Sequence, residues 1–228
     1  MRVTTKFDRP DPALISQLAA HSSATIHEAQ GRLGALSSSI KPVDVSMSLC
    51  GPAFTVRCAP RDNLMLQVAI AYAQPGDVIV VSAGEYAEAG SFGDVLANAC
   101  QAKGIAGLVT DTGVRDTAEL RELGFPVFSY SVSIKGTVKE TIGPLAEPIL
   151  IGGELVRPGD VIRGDADGLV VVRREDLDDA IRLSREREEA EAAYIAAYRA
   201  GRNVIDVSNL AAKLEAKGLV VEDSGAAL

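Results

Sequence analysis

The spacing of apolar residues switches repeatedly between helical and strand periods, and it predicts an alternating α/β chain. ALISQLAAH (13–21) has the helical period behind Asp11-Pro12, where a proline suits the first turn. Thr25-Ile26-His27-Glu28 has the spacing of a capping box, which predicts a second helix from Thr25 to near Gly34. AFTVRC (53–58) alternates as a strand does, and Asp62 is placed to cap the helix NLMLQVAIAYA. Pro75-Gly76 turns into an apolar strand, DVIVVS (77–82). A glycine-rich stretch, GEYAEAGSFG (84–93), leads to the helix DVLANACQAKG. Then come a strand GLVT (107–110), a loop DTGVRD, a short helix TAELREL and a strand PVFS. Strands and helices alternating at this pitch predict βαβ units around a parallel sheet buried on both faces.

From about residue 131 the pattern becomes β-rich with turns, through SVSIKGTV and EPILIGGELVRPGDVIRGDADGLVVV. Glu175 to Arg199 reads as one long charged helix, Gly201 stops it, and DVSNLAAKLEAKG predicts a last helix. The expectation is a single α/β domain over residues 1–228, with helical arms at both ends and the C-terminal arm starting at about 175. An arm so long and polar suits docking on a neighbouring subunit.

Composition narrows the chemistry. The 228 residues are 47% hydrophobic, enough for one good core. A net charge of −8 argues against a surface that tracks nucleic-acid phosphates. No run of 18 apolar residues suggests a membrane span, and MRVTTKFDRPDP has no apolar core of a secretory signal. The three cysteines, Cys50, Cys58 and Cys100, lack CxxC spacing, so free thiols and a cytoplasmic location are expected. His21 and His27 are the only histidines, which gives little support to a zinc site or a Ser-His-Asp triad. Carboxylates and arginines are left to carry the chemistry.

Residues 108–116, LVTDTGVRD, raise three readings. Asp-Thr-Gly after apolar residues resembles an aspartic protease signature, but that mechanism needs two such carboxylates and an all-β setting. A metal and anion site follows from the βαβ geometry, because loops after parallel strands open on the same carboxyl edge. Asp94 ends one loop and Arg115-Asp116 lies in the next, with twenty residues between Asp94 and Arg115. Gly90 and Gly93 would let backbone approach a ligand, and the Val95 and Leu96 amides would face it from a helix start. Hard carboxylate oxygens select Mg²⁺ or Mn²⁺. The third reading is structural: Asp94 as an N-cap and Arg115–Asp116 as a loop ion pair. Beside these, His27 is expected to be a structural hydrogen-bonder, and Tyr194 and Tyr198 to anchor the arm. Glu85 and Glu88 could touch a ligand or simply keep the loop wet.

Asp94, twenty residues, then Arg115-Asp116 resembles the D-x20-R-D signature of the class II 4-hydroxy-4-methyl-2-oxoglutarate / 4-carboxy-4-hydroxy-2-oxoadipate aldolases. ATIHEAQGRLG (24–34) is similar to that family's early helix. VRPGDVIRGDADGLVVV (156–172) resembles a segment shared with a sister group, the regulators of ribonuclease activity. IDVSNLAAKLEAKGLV (205–220) resembles the aldolases' C-terminal arm. The chain departs from that pattern at Ser208, Ala211 and Arg173, where the family often has Tyr, Arg and Pro, and this bears on substrate choice.

The resemblance implies a swivelling β/β/α fold in homotrimers or homohexamers, with the site at a subunit interface. It implies that Asp116 ligates a divalent metal, that Asp94 holds it through water, and that Glu191 of a neighbour completes the outer shell, with Glu188 and Glu189 as competitors. Arg115 would contact the 2-oxo acid end beside Gly93 and the Val95 and Leu96 amides. The implied reaction is retro-aldol cleavage of a 4-hydroxy-2-oxo acid to pyruvate, as in aromatic compound degradation, with oxaloacetate decarboxylation as a side activity through the same enolate. A Schiff-base route is not expected, because neither edge loop holds a lysine. The rival expectation is a non-enzymatic regulator that binds a ribonuclease or its partner.

Overall fold

The structure, a computed structural model, describes residues 5–220. The chain divides into two compact units after Ser184. The first contains α1 (Pro12–Ala19), α2 (Ser23–Ala29), β1 (Lys41–Pro42), β2 (Leu49–Arg57), α3 (Leu64–Tyr72), β3 (Val78–Ser82) and α4 (Asp94–Ala102). It continues through β4 (Gly107–Val114), α5 (Thr117–Leu123), β5 (Val127–Val132), β6 (Ile149–Ile151), β7 (Glu154–Val156), β8 (Val161–Gly164) and β9 (Leu169–Val172). A 3-10 turn, Arg174–Asp176, leads into α6 (Leu177–Arg199), which passes the division between the units.

The seven-stranded sheet has the order β1-β5-β4-β3-β2-β8-β9. Strands β2, β3, β4 and β5 are parallel neighbours, while β1 and β8 add antiparallel strands to that set. Strand β9 closes a hairpin on β8, and β6 and β7 form a separate two-stranded hairpin.

Why 78–81 is unbroken in apolar residues is plain from its two faces. Ile79 and Val81 pack with Leu66, Ala97 and Leu120 of the α3, α4 and α5 layer. Val78 and Val80 pack on the opposite side with Phe128, Ile149 and Ile162. A strand covered on both faces favours apolar residues at every position, and the serine that ends this one, Ser82, has its hydroxyl 2.9 Å from the Leu150 carbonyl. A third cluster seats Leu18 of α1, Ile26 of α2 and Leu177, Ala180 and Ile181 of α6 against Val161, Val170 and Val172. Arg9 fixes the N-terminal segment beneath this layer, with Nε and Nη2 each 2.7 Å from the fully buried Asp77 carboxylate.

Several expected boundaries move. The capping box begins three residues early: Ser22 is the N-cap of α2 and its Oγ accepts the Thr25 amide at 3.1 Å. That helix ends at Ala29, before Gly31 and Arg32, both at positive φ. Asp62 lies one residue ahead of the α3 N-cap, although its Oδ1 accepts the Leu64 amide at 2.9 Å. The segment 133–148 is not β-rich; it is irregular apart from isolated bridges at Val138 and Leu145. The long helix starts at Leu177, close to the expected 175, and its first part, with Leu177, Ala180, Ile181 and Ser184 buried, belongs to the first unit.

The second unit holds the rest of α6, α7 (Val204–Val207) and α8 (Ala211–Ala216). The helix expected over DVSNLAAKLEAKG is two pieces, broken where Asn209 takes φ 52°. Tyr198 reaches across within this unit, its hydroxyl 3.0 Å from Ser208 Oγ.

Candidate active site

Parallel pairing of β3 with β4, Val78 opposite Gly107 through Val81 opposite Thr110, puts the ends of both strands on one edge. The loop after β3 runs through 84–93 into α4, and β4 runs directly through Arg115 into α5. A cavity of about 320 Å³ opens where they meet. Gly93, Asp94, Val95, Leu96, Arg115 and Asp116 all line it, so the first unit brings every site residue expected before the arm to one place.

Local chemistry explains the meeting. Asp94 is the first residue of α4, with Gly93 as N-cap and no side-chain cap, so Asp94 is not itself the cap. The first bond of α4 is donated by Ala97 to the Gly93 carbonyl. The amides of Asp94, Val95 and Leu96 precede it, the usual orphan donors of a helix start. One already faces a carboxylate: the Asp94 amide lies 3.3 Å from Asp116 Oδ2. Arg115 Nε is 3.5 Å from the same oxygen. Asp116 stands ahead of α5 with φ 55° and ψ 44°, a left-handed conformation that aspartate tolerates better than most residues but still at a cost, and its side chain caps nothing.

The two glycines that line the cavity also have a steric role within the protein. Gly93 makes room for protein: a methyl there would overlap Asp116 Oδ2 and stand 3.1 Å from Arg115 Cγ. Gly90 likewise admits the Ser133 carbonyl and the Arg115 stem, 3.1 Å from an added methyl. Close approach of the chain to itself requires both.

Asp-Thr-Gly does not belong to the loop at all. Asp111, Thr112, Gly113 and Val114 are buried residues of β4, and a register shift between Thr110 and Gly113 disturbs its pairing with β5. Asp111 Oδ1 accepts the Ala83 amide at 2.5 Å and Oδ2 accepts Ser82 Oγ at 3.2 Å, which ties down the start of the glycine-rich loop. Burial pushes the Asp111 carboxyl up, and the hydrogen bonds from Ala83, Glu85, Ser82 and Gly84 only partly offset this. A single carboxyl used this way does not form an aspartic protease dyad.

Six lining residues were not expected, one of them Ser91 in the glycine-rich loop. Asn63, the N-cap of α3, and Gln67 on that helix line the cavity, and Gly136, Thr137 and Lys139 line it from the segment after β5. Neither edge loop holds a lysine, but Lys139 lines the cavity from a third segment. The alternation of SVSIKGTV (131–138) reads as strand and says nothing of a return to the cavity, so the sequence offers no signal for Lys139. Glu88 is not among the residues lining the cavity and pairs with Lys135; that ion pair holds the carboxyl below its ordinary value and raises the lysine. Among the described residues no group of three or more His, Cys, Asp and Glu is arranged to hold a metal. Glu191 lies in the second unit, where Arg187 Nε is 2.9 Å from its carboxylate. Cys58 and Cys100 are buried and Cys50 half-buried, all free, and burial pushes each thiol up to about 12. His27 Nδ1 lies 3.1 Å from the Leu33 carbonyl, the structural role expected of it.

A mixed α/β sheet with an anion-ready helix start facing an Arg-Asp pair defines the class, and the comparisons define the family. The family model described as RraA-like, Aldolase/RraA, matches residues 20–171, and the chain belongs to that family. A relative from Halalkalibacterium halodurans, named "Putative 4-hydroxy-4-methyl-2-oxoglutarate aldolase", is 35% identical over 174 residues, 76% of this chain and 83% of the relative. The structure of Streptomyces coelicolor RraAS2, titled an unusual member of the RNase ES inhibitor RraA protein family, superposes with TM-score 0.71 at 32% identity, covering 81% of this chain and 97% of that one. The RNA-processing inhibitor RraA from Thermus thermophilis matches with TM-score 0.61 at 27% identity, over 66% and 91% of the two chains. Among the described residues no helix is long and apolar enough to cross a membrane.

Proposed function

We propose that the cavity is the active site of a divalent-metal-dependent aldolase that cleaves a 4-hydroxy-2-oxo acid and releases pyruvate. The observation that carries this is the convergence of Asp94, Arg115 and Asp116 with the first-turn amides of α4 on one cavity. The relative named as a 4-hydroxy-4-methyl-2-oxoglutarate aldolase supports the substrate class. Asp116 and Asp94 are the groups that would hold Mg²⁺ or Mn²⁺, whose hard-oxygen preference they match. When bound, the ion supplies Lewis-acid stabilisation of the charge that develops on the enolate oxygen.

The chain's own residues do the rest. Arg115 presents a permanent charge and a planar fork to the 2-oxo acid end. The Val95 and Leu96 amides add fixed dipoles for its carboxylate. Such preorganised donors act where negative charge grows as the C3–C4 bond breaks. Lys139 supplies a cation for the distal carboxylate. It is solvent-exposed, unlike the desolvated lysines that form Schiff bases, so it serves as a charge and not as a nucleophile. A second copy of the chain would contribute Glu191, or its neighbour Glu188 or Glu189, in a homotrimer or homohexamer. Oxaloacetate decarboxylation passes through the same enolate and is the expected side activity.

The second reading is a regulator that binds a ribonuclease, favoured by the similarity to the two RraA structures. Pyruvate release from 4-hydroxy-4-methyl-2-oxoglutarate, coupled to lactate dehydrogenase, separates the two. Turnover in Mg²⁺ that EDTA or Asp116→Ala abolishes is expected. No turnover with that substrate, its carboxylated relative or oxaloacetate would overturn the enzyme reading.

A further inference from the structure

Asp62 is a buried carboxylate that the reaction outlined above does not use. It stands at the head of α3 and accepts three backbone amides. Leu64 donates to Oδ1 at 2.9 Å, and Glu140 and Thr141 donate to Oδ2 at 2.9 and 2.7 Å. The two residues beside it continue the grip: the Val138 amide donates to the Arg61 carbonyl at 2.9 Å, and the Asn63 amide to the Val138 carbonyl at 3.1 Å. Lys139 therefore sits between a bridged residue, Val138, and two residues whose amides end on one carboxylate. Burial pushes the Asp62 carboxyl up, yet the amides of Leu64, Glu140 and Thr141 outweigh it and hold the group below its ordinary value. It remains an anion, the form that can accept all three.

The same turn also holds the opposite wall. Asn63 Nδ2 donates to the Ser91 carbonyl at 2.9 Å, and Gln67 Nε2 approaches Asn63 Oδ1 at 3.2 Å. One short stretch at the head of α3 is thus bonded both to the glycine-rich loop and to the lysine-bearing segment. That segment has no helix or sheet of its own to fix it. An irregular stretch keeps a single conformation only where its backbone groups have partners.

We infer that Asp62 is a positioning residue for the distal end of the substrate: its clamp on Glu140 and Thr141 holds Lys139 at the cavity, and so sets the preference for an acid with a second carboxylate over pyruvate. This rests on the reading of the cavity as a 2-oxo acid site.

The test measures dissociation constants of pyruvate and of 2-oxoglutarate by calorimetry in Mg²⁺, for the full chain and two variants. Wild type should bind 2-oxoglutarate more tightly than pyruvate. Asp62→Ala should weaken 2-oxoglutarate about tenfold, which corresponds to about 1.4 kcal/mol, and leave pyruvate within about twofold. Lys139→Met, at an exposed side chain that the fold does not need, should give the same split, and the double variant should add nothing further. A merely structural Asp62 would weaken both acids together, and that result overturns the inference. So does a Lys139→Met protein that keeps the full preference, a measurement that stands even where Asp62→Ala fails to fold. Wild type that binds neither acid overturns the site reading, and the inference with it. A wild type with the split but no pyruvate release from any 4-hydroxy-2-oxo acid sinks the aldolase and leaves the positioning role standing.

Discussion

Gly93→Ala tests whether Asp116 must stand where it does. Gly93 has φ −154° and ψ −166°, extended backbone that alanine adopts freely, so the substitution adds no conformational strain. Its effect is steric. The new methyl would overlap Asp116 Oδ2, lie 3.0 Å from Asp116 Cγ and lie 3.1 Å from Arg115 Cγ. Carbon atoms pack best at about 3.5–4.0 Å, so the carboxylate must retreat by about 1 Å. It can do so because the Asp116 side chain is 32% exposed, which keeps the stability cost at the low end of about 1–3 kcal/mol for overpacking. Displacing a reacting group by about 1 Å commonly costs on the order of a hundredfold in rate. The expected outcome is a folded protein whose kcat/KM for pyruvate release is about a hundredfold lower, read in the lactate dehydrogenase assay beside a thermal melt. Gly136 is the control, because it lines the same cavity and a methyl there meets nothing within 4 Å, so Gly136→Ala should turn over nearly as wild type. Equal rates for Gly93→Ala and Gly136→Ala would refute the reasoning, since Asp116 would then have moved without consequence.

Further outcomes follow from the same contacts. Arg115→Lys keeps the charge but loses the fork, and kcat should fall on the order of a hundredfold with an unchanged melt; full activity would remove Arg115 from the chemistry. Arg9→Ala strands Asp77, which has no exposed surface, so denaturant unfolding should show a loss of about 3 kcal/mol, and a loss under 1 kcal/mol would show that water reaches the carboxylate. Asp62 has a lowered folded pKa, so its stabilisation is complete above the ordinary carboxylate value near about 4 and disappears as pH falls through the lower folded value. The melting temperatures of wild type and Asp62→Asn should therefore differ at pH 7 and converge near about pH 2. A constant gap across that range would count against the ionic clamp.

Period and spacing made the βαβ core legible, because a run such as 78–81, apolar on both faces, marks a buried parallel strand and its helices begin and end at recognisable residues. The same logic placed Asp94 and Arg115-Asp116 on one edge. What could not be read depends on contacts distant in sequence. Asp-Thr-Gly looks like a polar loop because its side chains are polar; the Ser82 hydroxyl and the 83–85 amides are the partners that let Asp111 sit inside β4. Lys139 reaches the cavity because Asp62, 77–79 residues earlier, binds the amides that follow it. Ser22 takes the cap from Thr25 because its hydroxyl meets the Thr25 amide, a choice between two good capping residues that spacing alone leaves open.

The family holds a relative named as an aldolase and structures titled as inhibitors of RNA processing, so the shared fold does not assign the chemistry. Local cost is more informative. At one point of this chain, Asp116 adopts a left-handed backbone without capping its helix, and Gly93 gives up a side chain so that this carboxylate can press against a helix's first amide. Each departure works against stability: a non-glycine residue at positive φ costs of order 1 kcal/mol, and an unfilled glycine adds backbone entropy to the unfolded chain. A surface that only docks a partner gains nothing from holding an acid there. An anion fixed beside an arginine and the open amides of Val95 and Leu96 is useful where a cation and a 2-oxo acid must meet in one orientation. Sites where local rules are broken together are where function is expected to reside.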